Sequence, residues 1–522
     1  MRETPLKHGC EHNKSDRKQF LKSQVVPGVC QHFIGGRYLD SASGESFKKI
    51  LPAYDESWFE VAVGGAPEID LAVKAAEKAA AGPWSRATAS DRAKLLHRIG
   101  DLIEANVETF ALAESLDTGK PYSETRNGDI PRSAQNFHFF ADLTAHQSFE
   151  TWIGDDGSHH TSIREPLGLT GLITPWNLPL YLATWKLAPA IAQGNTIILK
   201  PAELTPLSAT LLCELLNEAG VPEGVVNVVH GFGAKSAGEA LVRHPGVKAI
   251  SFTGETTTGS AIMRDAADSL KKLSFELGGK GASVIFEDAD LDLAVPTACR
   301  AAFRNQGQIC LAGSRLIVHE KIASQVIERL LACVKKIKIG DPLDDSTTMG
   351  ALIANDHRDK VAAFIDHART SGAGEILCGG NIPASLPEHL AKGAFYEPTV
   401  ISGVAQNSRL IQEEIFGPVL TIQTFKTAEE AIALTSGVPY GLSCSVYTRD
   451  GALAQRFARS VRMGMVWING WFIRDLHTAF GGMKRSGIGR EGGRHSLDFF
   501  SEYKTITTAA TPGPSQSEAV EL

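Results

Sequence analysis

The sequence predicts an α/β protein made of two doubly wound, open-sheet domains and a small separate β element. Three observations lead there. From about residue 165, short apolar runs of strand length alternate with amphipathic helical runs. A second series of the same rhythm starts near residue 283. Two strand-like segments, 148–164 and 501–510, belong to neither series. Alternating βα units call for a mostly parallel sheet with helices on both faces.

The elements follow in order. Segments 66–81 and 91–116 read as helices, the first rich in alanine. Strands are expected at 169–174, 196–200, 225–230 and 249–253, with helices at 207–218, 236–243 and 259–269. The second series has strands at 283–287, 315–319, 419–424 and 442–448, with helices at 291–303, 323–336 and 453–460. A lone strand leaves its backbone groups unpaired, so 148–164 and 501–510 are expected to pair with each other or with a partner chain. The Pro-, Ser- and Gly-containing end, 511–522, is expected to be disordered.

Composition narrows the class. The 522 residues are 43% hydrophobic and 21% charged, an ordinary globular balance. With 52 Lys+Arg against 59 Asp+Glu, the net charge of −7 argues against a general nucleic-acid binder. Eight scattered cysteines without any C-x-x-C pair suit neither a disulfide framework nor a zinc site. No metal is therefore expected, and the thiols should be reduced. No apolar run reaches the ~18–20 residues of a membrane span. The first 30 residues mix bases with Glu3, Glu11 and Asp16 around no apolar core, unlike a targeting signal. The C-terminus, Glu518-Ala-Val-Glu-Leu522, is not a peroxisomal tripeptide. A cytoplasmic enzyme is the expectation.

Three residues are candidates for chemistry. Cys310, in Gln306-Gly-Gln-Ile-Cys310, follows a glycine turn at the end of a helix-like run, where a thiol can be reached. It needs a base, a cation or backbone dipoles to act as a nucleophile. Glu276, before Gly278 and Gly279, interrupts an apolar strand. It is either a structural hydrogen-bond partner or a base whose pKa burial has raised. Asn177, between Pro175 and Pro179, is either a turn residue or a rigidly held amide donor for an oxyanion. No G-x-G-x-x-G follows a strand; instead Phe252-Thr-Gly-Glu-Thr-Thr-Thr-Gly259 runs from a strand into a helix N-terminus, where N–H groups suit a pyrophosphate. Gly231-Phe-Gly-Ala-Lys-Ser236 lacks the glycine before lysine that a P-loop needs.

Six motifs in this order resemble the NAD(P)-dependent aldehyde dehydrogenase superfamily over roughly residues 30–505: Pro175-Trp-Asn177, Lys200-Pro-Ala-Glu203, Phe252-Thr-Gly254, Glu276-Leu-Gly-Gly-Lys280, Gly307-Gln-Ile-Cys310 and Glu413-Glu-Ile-Phe-Gly-Pro418. The resemblance implies a Rossmann-like NAD domain at 30–147 and 165–282 and a catalytic domain at 283–487. It also implies an oligomerisation element at 148–164 and 488–510, extended or disordered tails at 1–29 and 511–522, and a homodimer or homotetramer. Cys310 would be the nucleophile, Asn177 the oxyanion donor and Glu276 the hydrolytic base. Lys200 and Glu203 would hold a ribose, and the Glu203 carboxylate favours NAD over NADP. Glu414 and Phe416 match positions at the nicotinamide ribose. Ile173, Thr174, Pro175 and Trp176 match positions along the cofactor path. Gly233, Phe252, Thr253, Gly254, Gly259 and Leu277 complete the implied cofactor contacts.

Two departures stand out. Glu255 replaces the common serine near the pyrophosphate, where an acid is unfavourable unless it points away. Ala282 replaces a common proline, with little effect expected.

Three stretches resemble the subgroup that oxidises 2-hydroxymuconic and 2-aminomuconic 6-semialdehydes: Asp129–Phe137, Phe252–Met263 and Trp467–Leu476. In that subgroup, arginines matching Arg132 and Arg474 grip the substrate carboxylate, and a guanidinium fork suits a carboxylate. The plain alternative for either arginine is a structural ion pair. The substrate implied is a small-molecule semialdehyde, from tryptophan breakdown through kynurenine if it carries an amino group, or from aromatic ring cleavage if hydroxy. The rival readings are a general or betaine-type aldehyde dehydrogenase and a non-catalytic NAD-binding structural protein. An intact Cys310, Glu276 and Asn177 count against the last.

Overall fold

A computed structural model describes residues 29–510; the ends expected to be extended or disordered lie outside this range, apart from Val29, which pairs with Glu60 in a short strand. Two open sheets carry the chain. The first has eight strands in the spatial order Gly487–Ile488, Lys272–Glu276, Ala249–Thr253, Leu169–Ile173, Thr196–Lys200, Val226–Val228, His32–Ile34 and Arg37–Leu39. Its five middle strands are parallel and its edges antiparallel. Leu169–Ile173, Thr196–Lys200 and Ala249–Thr253 are buried along their whole length, as strands covered on both faces must be.

The second sheet has seven strands, ordered Glu375–Cys378, Thr399–Ser402, Val419–Phe425, Arg315–His319, Ala282–Ile285, Ser443–Tyr447 and Met465–Ile468. All are parallel except the first, at the edge. In the first sheet the chain winds outward from Leu169–Ile173 in one direction, then returns to Ala249–Thr253 on its other side. The carboxyl ends of these two strands form the crevice where open α/β sheets take ligands. The peptide from Leu277 to Gly281 carries the chain directly from the first sheet into the second.

The two detached segments pair with each other. Ser501–Thr508 runs antiparallel to His159–Pro166, which pairs with Glu150–Ile153. Phe149, Trp152, Ile153, Tyr503 and Ile506 are exposed on this small sheet. Ile488, at the start of the expected oligomerisation segment, instead pairs with Phe275 in the first sheet.

Other expectations are corrected. The helix read over 91–116 is two, Ala89–Ala105 and Val107–Thr118, broken at Asn106, whose side-chain amide donates to the Leu102 carbonyl. The helices Ile130–Ala145, Pro179–Ala192 and Asn355–Ser371 were not anticipated. Pro179–Ala192 is buried on every side, so it has no polar face to give it a helical period. It packs against Ile130–Ala145, which packs on Ala89–Ala105, in one core. Among the described residues no helix is long and apolar enough to cross a membrane.

Candidate active site

The sheet crossing brings the three candidate residues together. Glu276 is the last residue of its strand, and its carbonyl accepts from the Gly254 N–H at 3.1 Å. Beyond it, a Cβ on Gly279 would collide with the Cys310 carbonyl oxygen, and one on Gly278 with the Glu414 carboxylate. These glycines admit the catalytic loop to the crossing strand. The Gly279 N–H donates to Glu414 Oε1 at 2.7 Å.

Cys310 follows a strained turn. Asn305, Gln306 and Gly307 have φ of 50°, 56° and 72°, all left-handed, and a Cβ on Gly307 would collide with the Gly417 carbonyl. Two consecutive non-glycine residues in that region need support from their surroundings. Asn305 supplies it: its Nδ2 donates to the Gln308 carbonyl at 3.0 Å and to the Asn177 carbonyl at 3.1 Å. The Asn177 side-chain amide donates to the same Gln308 carbonyl at 2.8 Å. A primary amide has two hydrogens, so one Asn177 N–H is left over from this bond.

Burial pushes the Cys310 thiol up to about 12; the carboxylates of Glu414 and Glu276 add to this, and Arg474 opposes it. All three charges thus act on the thiol. The Glu276 carboxyl is buried and neither oxygen has a hydrogen-bond partner. Gly481 lies against it, so close that a Cβ there would be 2.7 Å from Oε1. Burial raises the Glu276 pKa well above the carboxylate range; Glu491 adds to the rise, and Lys186, Arg490 and Arg474 oppose it. Lys186 Nζ bridges Glu491 Oε1 at 2.5 Å and Ser251 Oγ at 2.9 Å. A buried, unpartnered carboxyl whose pKa is raised can hold a proton and, once ionised, can take one.

The crevice at the switch point has the donor set of a dinucleotide site. Lys200 Nζ and Glu203 Oε2 are paired at 3.1 Å, with Glu203 partly exposed at the strand end. This ammonium–carboxylate pair can meet a ribose diol with a donor and an acceptor. Thr253 Oγ1, where Ala249–Thr253 ends, is buried without a partner. Gly254 leads into the helix Thr256–Ala266, and Leu277 packs against Gly259 on it. Gly233 is exposed and faces open space. Trp176 meets Phe416 edge-on at 5.3 Å, and Phe416 has a φ of 57°. Ile173 and Thr174 are buried at the neighbouring strand end, before Pro175. Burial raises the Glu414 pKa to about 7, against the Gly279 N–H and Lys280. Glu255 caps the helix N-terminus without a side-chain bond; it is exposed, and its charge reaches Glu414 and His357.

The two arginines lie on different elements. Arg474 Nη1 donates to the Tyr181 hydroxyl at 2.8 Å, and its guanidinium lies over Phe480, Trp185 and Tyr181. Arg132, in the first turn of Ile130–Ala145, donates from Nη1 to Gln135 at 2.8 Å, while its Nη2 is buried and unpartnered. Its charge, after the bonds from His477, helps hold the Asp475 carboxyl below the usual range, which places it beside the Arg474 segment.

Sequence reasoning missed four residues. His357 donates from Nε2 to the Phe416 carbonyl, 2.7 Å away, and packs edge-on against Trp176 at 5.5 Å. Tyr181 carries the Arg474 contact, and Asn305 and Lys120 hold the Asn177 carbonyl. None sits in a motif of its own; Tyr181 is hidden in an apolar run, and Lys120 follows a helix-ending glycine like many surface lysines.

Two open α/β sheets meeting over a thiol, a buried carboxyl and a fixed amide define a cysteine-dependent dehydrogenase. The chain belongs to the aldehyde dehydrogenase family, whose model matches residues 38–506. It is 47% identical over 480 residues to a 2-hydroxymuconic semialdehyde dehydrogenase of Pseudomonas sp. (strain CF600), covering 91% of this chain and 98% of that one. It is 46% identical over 485 residues to a 2-aminomuconic semialdehyde dehydrogenase of Danio rerio, covering 92% and 98%. A betaine aldehyde dehydrogenase from Staphylococcus aureus, solved with NAD+, superposes with a TM-score of 0.91 at 36% identity, covering 97% of this chain and all of that one.

Proposed function

We infer that this chain is an NAD-dependent dehydrogenase that oxidises a carboxylate-bearing semialdehyde, 2-aminomuconate or 2-hydroxymuconate 6-semialdehyde, to the dicarboxylic acid. The observation that carries the substrate class is a guanidinium, Arg474, held on Tyr181, whose charge acts on both the Cys310 thiol and the Glu276 carboxyl. An anion in a partly desolvated pocket needs such a partner. The muconic semialdehyde relatives, at 43–47% identity, support it over the betaine-type reading, at 36%.

Each group has a part in the reaction. Cys310 gives its proton to solvent water and its sulfur bonds to the aldehyde carbon. The resulting oxyanion is received by the free Asn177 N–H and the Cys310 backbone N–H. NAD, when bound, supplies the hydride acceptor that turns the thiohemiacetal into a thioester. Glu276 then takes a proton from water as the water oxygen bonds to the thioester carbon. The C–S bond breaks, the acid leaves and the Cys310 thiolate takes from Glu276 the proton that came from water. Arg474 and Arg132 hold the far carboxylate. Lys200 and Glu203 hold a ribose, and Glu414 and Phe416 the nicotinamide end. Ile173, Thr174, Pro175, Trp176, Gly233, Phe252, Thr253, Gly254, Gly259 and Leu277 shape the path between them. Because Glu276 stands beside the thiol, hydrolysis is favoured over transfer to coenzyme A.

The partition we propose is a cofactor domain at 30–147 and 165–282, a catalytic domain at 283–487 and an oligomerisation element at 148–164 and 488–510. The exposed apolar side chains of the small sheet support a homodimer or homotetramer, and the free thiols among the described residues support a reducing, cytoplasmic location.

Steady-state kinetics followed by NADH absorbance, with both muconic semialdehydes, betaine aldehyde and a neutral aldehyde of similar length, test the reading. The highest kcat/KM is expected with a muconic semialdehyde; preference for the cationic or neutral aldehyde would overturn it.

A further inference from the structure

A fully buried lysine lies behind the proposed oxyanion donor. Lys120 follows Gly119, which ends the helix Val107–Thr118 in a left-handed conformation, φ 77°. A Cβ on Gly119 would lie 3.0 Å from the Ala351 carbonyl, so the turn is pressed against the chain beside it. The lysine Nζ donates to Asp129 Oδ2 at 2.6 Å and to the backbone carbonyl of Asn177 at 3.0 Å.

We propose that Lys120 is a positioning residue for Asn177: its ammonium, held by Asp129, fixes the Asn177 peptide so that the side-chain amide meets the oxyanion. The proposal rests on the oxyanion role given to Asn177 above. The Asn177 carbonyl receives two donors, Lys120 Nζ and Asn305 Nδ2, which occupy both of its lone pairs. The side-chain amide is tied at its other end to the Gln308 carbonyl, two residues before Cys310. Asn177 is thus braced on both sides, and the direction of its remaining N–H is set by groups that do not themselves reach substrate.

The surrounding acids hold the same wall of the pocket. Glu114 Oε1 accepts from the Leu180 N–H at 2.8 Å, three residues after Asn177. The Asn305 backbone N–H holds the Glu124 pKa down against burial, so Glu124 lies beside the second donor to the Asn177 carbonyl. Burial raises the pKa of both, Glu114 to about 7, and the Lys120 charge works against each rise. Asp129 closes a turn of π-helix, Thr125–Asp129, immediately before the helix that carries Arg132. π-turns of this kind occur often where a functional side chain must be re-aimed. One ammonium therefore ties the oxyanion loop to the start of the arginine helix. A lysine whose role was only to pair a buried acid would have no need of the Asn177 carbonyl.

The test is a cycle of Lys120→Met and Asn177→Ala on the full-length enzyme, read by kcat, by NADH affinity from fluorescence titration and by Tm. Because Lys120→Met strands the Asp129 charge, Lys120→Met with Asp129→Asn is the second variant, free of that uncompensated acid. In both backgrounds kcat should fall about 30- to 100-fold, the cost of a misplaced oxyanion donor. NADH affinity should stay within about twofold, since the cofactor contacts are untouched. Added to Asn177→Ala, Lys120→Met should slow the enzyme no further, because two residues acting as one unit are not additive. An unchanged kcat in either lysine variant, or a further fall on top of Asn177→Ala, would overturn the proposal. If Asn177→Ala itself leaves kcat unchanged, the oxyanion reading fails and takes this proposal with it. If Asn177→Ala is slow while the lysine variants are fast, only the role of Lys120 is lost.

Discussion

Arg474 Nη1 donates to the Tyr181 hydroxyl at 2.8 Å while its guanidinium carbon stands 4.2 Å from the centre of the Phe480 ring. One nitrogen of the fork is thus used to orient the group, and the aromatic walls exclude water from it. A charge-assisted hydrogen bond contributes about 1.5–3 kcal/mol. Arg474→Ala should therefore raise KM for a carboxylated semialdehyde about 10- to 100-fold. For a neutral aldehyde of similar length it should change little, and equal effects on both would remove Arg474 from carboxylate binding.

Arg132 Nη2 is buried without a partner, which costs about 1–3 kcal/mol until a carboxylate satisfies it. Saturating dicarboxylate product should raise the Tm of the wild-type enzyme by mass action. Arg132→Leu should lose most of that rise while keeping its own Tm. An equal rise in both proteins would exclude Arg132 from the site.

Burial pushes the Cys310 thiol up to about 12. In the cofactor-free enzyme the thiolate fraction should then grow about tenfold per pH unit well above neutrality. Alkylation by iodoacetamide, located on Cys310 by peptide mass spectrometry, should follow that slope from about pH 7 to 10. A plateau below about pH 9 would mean a thiolate stabilised without cofactor. Cys310→Ser should lose turnover and retain NADH binding.

The Glu276 carboxyl is raised, so it is protonated at acid pH and works as a base only once pH exceeds the shifted value. Hydrolysis should therefore strengthen as pH rises. Glu276→Gln should lose this limb, slow the steady state about 10²- to 10⁴-fold and still release a first equivalent of NADH. Loss of that burst would place Glu276 in the oxidation step instead.

Glu203 pairs with Lys200 at 3.1 Å, and a carboxylate there repels a 2′-phosphate. Glu203→Ser frees the Lys200 ammonium and should raise kcat/KM for NADP while lowering it for NAD. An unchanged NAD/NADP ratio would mean that neither residue reads the ribose.

The strand at Leu169–Ile173, the strand at Thr196–Lys200 and the helix Leu291–Phe303 were legible because each is a continuous apolar or amphipathic run between turn residues. The break at Asn106 and the helix Pro179–Ala192 were not: the first lies within an unbroken periodic pattern, and the second has no polar face. The same division runs through the site. Cys310, Glu276 and Asn177 announce themselves because thiol, acid and amide stand in glycine- or proline-bounded turns, whereas Lys120, Tyr181 and His357 look like ordinary residues until their partners are seen.

The sequence by itself determined the α/β class, the two series of βα units and the residue types available for the chemistry, since these follow from local periodicity and turn composition. Only the tertiary structure decided which of them meet. Lys120 reaches Asn177 across 57 residues, Asn177 reaches Gln308 across 131, and Lys186 reaches Glu491 across 305. Side-chain hydrogen bonds act over about 3 Å of space whatever the length of chain between them. They exist because the peptide from Leu277 to Gly281 joins two sheets and closes one cleft between them.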